Sequence, residues 1–197
     1  TLQQQYRARF DAAAAYRDAL WQVLCREVFQ RRIPPNATVL DLASNSLARG
    51  SDMNRSRWYS TSTTLLNGEI YVQGGSGGTD FPEIRGANGT YRLLSGAGTG
   101  GFDFMYPRNF IAPDGRVFGF ASGGQMYYIN TGGSGAVTNA GTLPVTGNDA
   151  SAAMFAPGRI LQYGGNSNTA VVIDITGGSP VVSSAATTLR PRRLSVA

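Results

Sequence analysis

"STTLLNGEIYVQGG", Ser62 to Gly75, decides the fold. Two apolar runs flank Asn67-Gly68, and Gly74-Gly75 closes the phrase. Asn-Gly favours a tight hairpin turn because both residues accept positive φ. The plan returns in "NFIAPDGRVFGFASGG", Asn109 to Gly124, and in "AAMFAPGRILQYGG", Ala152 to Gly165. The turn glycines Gly68, Gly115 and Gly158 lie 47 and 43 residues apart. The closing glycine pairs leave room for strands to crowd or bend.

A weaker hairpin follows each strong one. These are "EIRGANGTYRLL" with a turn at Ala87-Asn88-Gly89, "QMYYINTGGSGAVTNAG" and "AVVIDITGGSPVV". Two hairpins in about 45 residues make one four-stranded blade, the period of a β-propeller. The predicted class is therefore mainly β. It is a partial propeller of about three four-stranded blades plus parts of two more, preceded by one amphipathic helix. The blades are expected at about 55–95, 102–143 and 148–184. "LRPRRLSVA" supplies the first strand of a further blade at 190–197.

Residues 3–32 carry the helical signal. Tyr6, Phe10, Ala13, Leu20, Leu24 and Val28 recur at helical spacing, and Pro34-Pro35 ends the run. The expected domains are thus the helix at 1–35 and the partial propeller at 36–197. Between them, "NATVLDLASNS", Asn36 to Ser46, has two readings. It is either the first strand of a nucleotide-binding α/β sheet or a hairpin turning at Ala43-Ser44-Asn45. A ligand-binding sheet needs glycine right after the Asp, and none comes until Gly50. The hairpin reading makes "TVLDLASNSLAR" the closing pair of an earlier blade.

Composition excludes several chemistries. The chain has no His and no Lys, and all 17 basic residues are Arg. Without His there is no Ser-His-Asp triad and no imidazole metal site. Without Lys there is no Walker lysine and no Schiff-base lysine. The net charge of +5 has no clustered basic face outside the first helix, so no nucleic-acid partner is expected. Cys25 is the one cysteine, which rules out an internal disulfide; its place in the helical pattern predicts a small buried residue. No apolar run reaches about 18 residues, so no helix is expected to cross a membrane.

Several local signals favour structural roles. "SGAGTGG", Ser95 to Gly101, has Gly-x-Gly spacing but opens no helical pattern. Asp80, Glu83 and Asp103 are carboxylates of the kind used in glycoside hydrolysis, yet they read as solvated loop charges. Asn36, Asn54 and Asn88 begin glycosylation-type triplets, and Asn88 is also a turn residue. Arg57, Arg108, Arg190, Arg192 and Arg193 lie at or before blade-starting strands. Surface salt bridges are expected of them, with binding of carboxylates or sugar hydroxyls as the alternative.

"NRSRWYSTSTTLLNGEIYVQGG", "YPRNFIAPDGRVFGF" and "GNDASAAMFAPGRILQYGGNS", in that order, resemble the kelch-type propeller of the galactose oxidase and glyoxal oxidase family. The resemblance covers about residues 38–197. It implies a secreted protein that oxidises alcohols or aldehydes and reduces oxygen to peroxide. Such an enzyme uses one copper ion held by two Tyr and two His, with a tyrosyl radical cross-linked to cysteine. The Tyr of "RWYSTS", Tyr59, matches the cross-linked tyrosine and is the one catalytic and metal-ligating candidate. The family's second Tyr and both His fall in later blades, and Cys25 lies outside the propeller pattern. The aromatic that often follows the family's Gly-Gly-Ser is Gly77 here.

Residues 1–42 resemble the start of a class I methyl-donor-dependent methyltransferase, carried by "YRARFDAAAAYRDALWQVLCREVFQRRIPPNATVLDLA". Three functions follow as expectations. The first is a fragment of a copper-radical oxidase, inactive as this chain and with no copper expected in it alone. The second is a non-catalytic propeller module that binds carbohydrate, a small aldehyde or alcohol, or protein, self-associating or pairing with a chain that supplies missing blades. The third is a methyltransferase relic.

Overall fold

A computed structural model describes residues 50–144, 150–165 and 167–191. Twelve strands form three four-stranded antiparallel sheets, with no helix among the described residues. The first sheet holds β1 (Trp58–Thr64), β2 (Ile70–Ser76), β3 (Glu83–Arg85) and β4 (Tyr91–Leu93). The second holds β5 (Arg108–Ile111), β6 (Val117–Phe120), β7 (Gln125–Asn130) and β8 (Ala136–Thr142). The third holds β9 (Ala150–Ala156), β10 (Arg159–Gly164), β11 (Ala170–Asp174) and β12 (Val181–Ser184). Each strand pairs with its neighbour in sequence, so each sheet is a simple meander. This is the expected partial propeller-like plan.

The three turn glycines do the same job. Gly68, Gly115 and Gly158 have φ of 84°, 86° and 69°, and each joins the first two strands of its sheet. That left-handed backbone strains any residue with a Cβ. The second hairpins turn on side-chain acceptors: Asn88 Oδ1 receives Thr90 N at 3.1 Å and Thr90 Oγ1 at 2.9 Å. Asn88 is thus the turn residue its sequence suggested.

Strand alternation gives each sheet an apolar face, and the second sheet two. Tyr71 and Ile84 of the first sheet pack with Val117, Tyr127 and Ile129 of the second. The opposite side of the second sheet carries Phe118, Phe120, Met126 and Tyr128. These pack with Ile160, Val171 and Ile173 of the third. Between the first two sheets lies a polar core. Tyr71 and Tyr127 hydroxyls donate to Gln73 Oε1 at 2.7 and 3.1 Å, and Tyr127 also reaches Asn109 Oδ1 at 3.0 Å. Burial pushes both phenols up. Tyr127 leans over Gly119, where an added Cβ would meet its ring at 2.5 Å.

Some expectations fall elsewhere. The helix at 3–32, Cys25 and the hairpin at 38–49 lie outside the described residues. Leu189 to Pro191 form no strand; the rest of "LRPRRLSVA" lies outside the described residues. "SGAGTGG" is a chain of turns that leads into no helix, so it lacks the geometry of a dinucleotide loop.

Phe118 is fully buried between two sheets. Phe118→Ala is expected to cost about 3–5 kcal/mol. A urea titration should show a much lower midpoint at unchanged slope; a midpoint like the parent's would contradict this packing.

Candidate functional site

Tyr59 lies at the start of β1. Its neighbours Trp58 and Ser60 pair with Ser76 and Gly74, while Tyr59 itself has no register partner. Its φ is 68°, a left-handed conformation that a bulky residue adopts only at a cost of about 1–2 kcal/mol. Tyr106, just before β5, has φ 50°. These are the two positive-φ residues other than glycine among the described residues. Tyr59 precedes Gly68 by nine residues, and Tyr106 precedes Gly115 by nine. The two are therefore equivalent positions of the repeat, and the unusual backbone belongs to the blade plan.

The rings are brought together by backbone ties. Tyr106 N donates to the Tyr59 carbonyl at 3.2 Å, and Gly75 N donates to the Phe104 carbonyl at 2.9 Å. Gly74 has no side chain to keep that loop away: an added Cβ would strike the Phe104 carbonyl oxygen. The Trp58 and Tyr59 rings stack at 3.8 Å, and Tyr59 and Tyr106 lie 4.8 Å apart at 41°. Desolvation, then the neighbouring Tyr59 charge and a hydrogen bond with Tyr59, raise the Tyr106 phenol above its ordinary value. Trp58 is 65% exposed, Tyr106 42% and Tyr59 37%, so the ladder of rings faces solvent. Tyr59 is thus presented at the surface.

Behind this ladder sits a fully buried ion pair. Arg57 Nε and Nη2 bind Glu83 Oε1 at 3.0 and 2.8 Å. Arg57 Nη1 donates to the carbonyls of Gly74 at 2.9 Å and Gly78 at 2.5 Å, and Nη2 to that of Phe81 at 2.6 Å. Glu83 Oε2 accepts from Asn54 N at 2.7 Å and Asn54 Nδ2 at 2.8 Å, and Oε1 from Arg55 N at 3.2 Å. Burial raises the Glu83 carboxyl, but the Asn54 hydrogen bonds and Arg57 outweigh it and the net shift is downward. This corrects two expectations. Arg57 is not a surface salt bridge, and Glu83 is not a solvated loop charge; both side chains are 0% exposed.

The remaining candidates do not converge. Asp80 pairs with Arg55 at 3.2 Å on the surface, a contact worth at most about 1 kcal/mol. Asp103 Oδ1 accepts Met105 N in a local turn. Asn54 is engaged by Glu83. Arg108 donates to Ser122 Oγ at 3.0 Å and to the Ala150 carbonyl, so it joins the second and third sheets. Arg190 lies in a bend at the surface, while Arg192, Arg193 and Asn36 are outside the described residues. Among the described residues no group of three or more His, Cys, Asp or Glu could hold a metal ion. At the C-terminal ends of β1, β5 and β9, Leu66, Ile111, Pro113, Met154, Phe155 and Pro157 line an open cleft of about 550 Å³. It has no charged lining and offers no chemistry.

Sequence reading missed Tyr106, the Trp58 stack and the buried ion pair. The offset of nine residues from the turn glycine would have found Tyr106. No local signal marks the others, because Glu83 is 26 residues from Arg57.

No protein-family model and no curated protein matches this chain. Among solved structures it is similar to a novel fungal alcohol oxidase with catalytic diversity among the AA5 family, in complex with copper. The TM-score is 0.70 at 23% identity, covering 79% of this chain and 38% of that one. The chain thus spans well under half the length of that oxidase. At this identity the likeness establishes a shared fold.

The Arg57–Glu83 pair generates a pH prediction. A folded pKa below the unfolded value of about 4.3 gives stability that is full above that value and is lost as pH falls through the folded pKa. Glu83→Gln is expected to remove this acid-range dependence and to cost about 3–5 kcal/mol at neutral pH by leaving Arg57 buried without its partner. Urea midpoints measured from pH 2.5 to 7 check both; an unchanged slope with pH would contradict the assignment.

Proposed function

We propose that this chain is a sector of a copper-radical oxidase propeller of the galactose oxidase and glyoxal oxidase type, and that Tyr59 is its contribution to the metal. The observation that carries this reading is the presentation of Tyr59. Its phenol is at the surface, at the start of β1, with Trp58 stacked on its ring at 3.8 Å. A phenol that is to be oxidised needs both access and a neighbouring ring that shares charge. The family's aromatic after Gly-Gly-Ser is absent here, and Trp58 covers the same tyrosine from one position before it. The kelch-type repeat and a secreted location belong to the same reading.

The residues present do not fit a copper ion by themselves. Tyr59 and Tyr106 supply two phenol oxygens, the chain has no His, and a copper site needs imidazole or thiolate partners that hold a fixed geometry. No redox step follows from this chain alone. Peroxide release from galactose, glyoxal and methylglyoxal after copper loading is expected to stay at the level of free copper, and sustained turnover would overturn the inactivity. The oxidase reading further expects a Tyr-His pair and a later His in downstream polypeptide, and a cysteine on a strand upstream. Flanking sequence without them would overturn that reading.

A second reading, a carbohydrate-binding module, is favoured by the exposed Trp58 ring stacked on Tyr59. Titration with galactose and its oligomers, followed by Trp fluorescence, should then shift the emission in the parent and in Trp21→Phe, which keeps Trp58, and leave it unmoved in Trp58→Phe. An unresponsive parent would remove this reading.

A further inference from the structure

Two phenols meet where the first sheet touches the lead into the second. Tyr59 stands in β1, and Tyr106 lies 47 residues later, just before β5. Their ring centroids are 4.8 Å apart. Among the described residues this is the one ring contact between two tyrosines. Tyr71 and Tyr127 also send their hydroxyls to one acceptor, Gln73 Oε1, but both are sealed in the core. The hydroxyls of Tyr59 and Tyr106 are joined by a hydrogen bond. That bond brings together the ring carbons next to each oxygen, the ortho carbons. These are the carbons on which a phenol that has lost an electron carries much of its unpaired spin.

The backbone holds this arrangement. Tyr106 N donates to the Tyr59 carbonyl at 3.2 Å, and Gly75 N donates to the Phe104 carbonyl at 2.9 Å, two residues before Tyr106. The buried guanidinium of Arg57 fixes the chain two residues before Tyr59. Every one of these ties lies between Arg57 and Tyr106, within the first sheet and the lead into the second. Two reactants held in contact react far faster than two that must meet by diffusion. Both rings are partly exposed, so water is at hand to take up protons.

We propose that Tyr59 and Tyr106 are a site of oxidative cross-linking, at which a strong one-electron oxidant couples their ortho carbons to form a dityrosine. Each phenol gives one electron to the oxidant and its proton to water, which leaves two phenoxyl radicals. The radicals pair, and one carbon–carbon bond forms between ortho positions. The hydrogen on each bonded carbon then moves to the neighbouring ring oxygen, which restores both aromatic rings and both hydroxyls. Two electrons and two protons leave in all. The product staples the first sheet to the segment that opens the second. The reaction draws on no metal held by this chain, so it stands apart from the oxidase reading and is tested without copper.

Illumination of the full chain with tris-bipyridyl ruthenium(II), with persulfate as electron acceptor, supplies the oxidant. The expected product is a monomer lighter by the mass of two hydrogen atoms, with the blue fluorescence of dityrosine. Trypsin should release a linked pair of peptides, one carrying Tyr59 and the other Tyr106. The yield should not change on dilution. Tyr59→Phe and Tyr106→Phe alter exposed phenols, and each should lower the yield of cross-linked monomer at least about tenfold, since the remaining tyrosines must then meet without a preset contact. Tyr163→Phe should leave the yield unchanged. A monomer that stays uncross-linked, whether or not Trp58 takes up oxygen, would overturn the proposal. So would dityrosine found only between copies, or cross-linked monomer at the parent yield in Tyr106→Phe.

Discussion

A short meander with apolar residues on both faces cannot bury itself, and that constraint organises the molecule. Each sheet here has four strands of three to seven residues and at least one non-polar side, and the second sheet has two. One such sheet exposes too much apolar area to be stable in water. Stacking the sheets face to face buries Tyr71 and Ile84 on one seam and Phe118 and Tyr128 on the next. Every other feature depends on these seams. β1 and the start of β5 come close enough to bring Tyr59 beside Tyr106, and Arg108 spans from the second sheet to the third.

The buried Arg57–Glu83 pair does a different kind of work. A well-packed apolar pair of the same volume could match it in stability, since two charges must first leave water. What it supplies is position. All five guanidinium N–H groups find acceptors on Gly74, Gly78, Phe81 and Glu83. That holds the residue two places before Tyr59 against the end of β2, where Gly75 in turn holds Phe104. The aromatic ladder is therefore set on a braced backbone, although its own rings are exposed.

Much of the fold was legible because hairpins are local. Gly68, Gly115 and Gly158 sit where positive φ is required, and their spacing counts the blades without knowledge of any contact. Asn88 was legible for the same reason, since its acceptor serves a residue two places away. Tyr59 was legible through the phrase around it. Glu83 was misread because its burial depends on a guanidinium 26 residues earlier and on Asn54 of the same preceding segment. Trp58 was quoted and passed over, because nothing in a string of letters says that two neighbouring strand residues will stack on the same side. That outcome follows from the left-handed backbone at Tyr59, which breaks the usual alternation.

The amino-acid order alone determined the strands, their turns and the period, because these follow from local backbone preference and from which residues tolerate positive φ. It also excluded imidazole and amine chemistry by omission. Tertiary structure decided which faces are sealed, which charges are buried and which rings meet, because those depend on groups from different sheets sharing one space. Leu161 and Phe118 read alike in sequence and occupy the same register. Phe118 is sealed and Leu161 only half-buried, because among the described residues a further sheet packs on the first and none packs on the second.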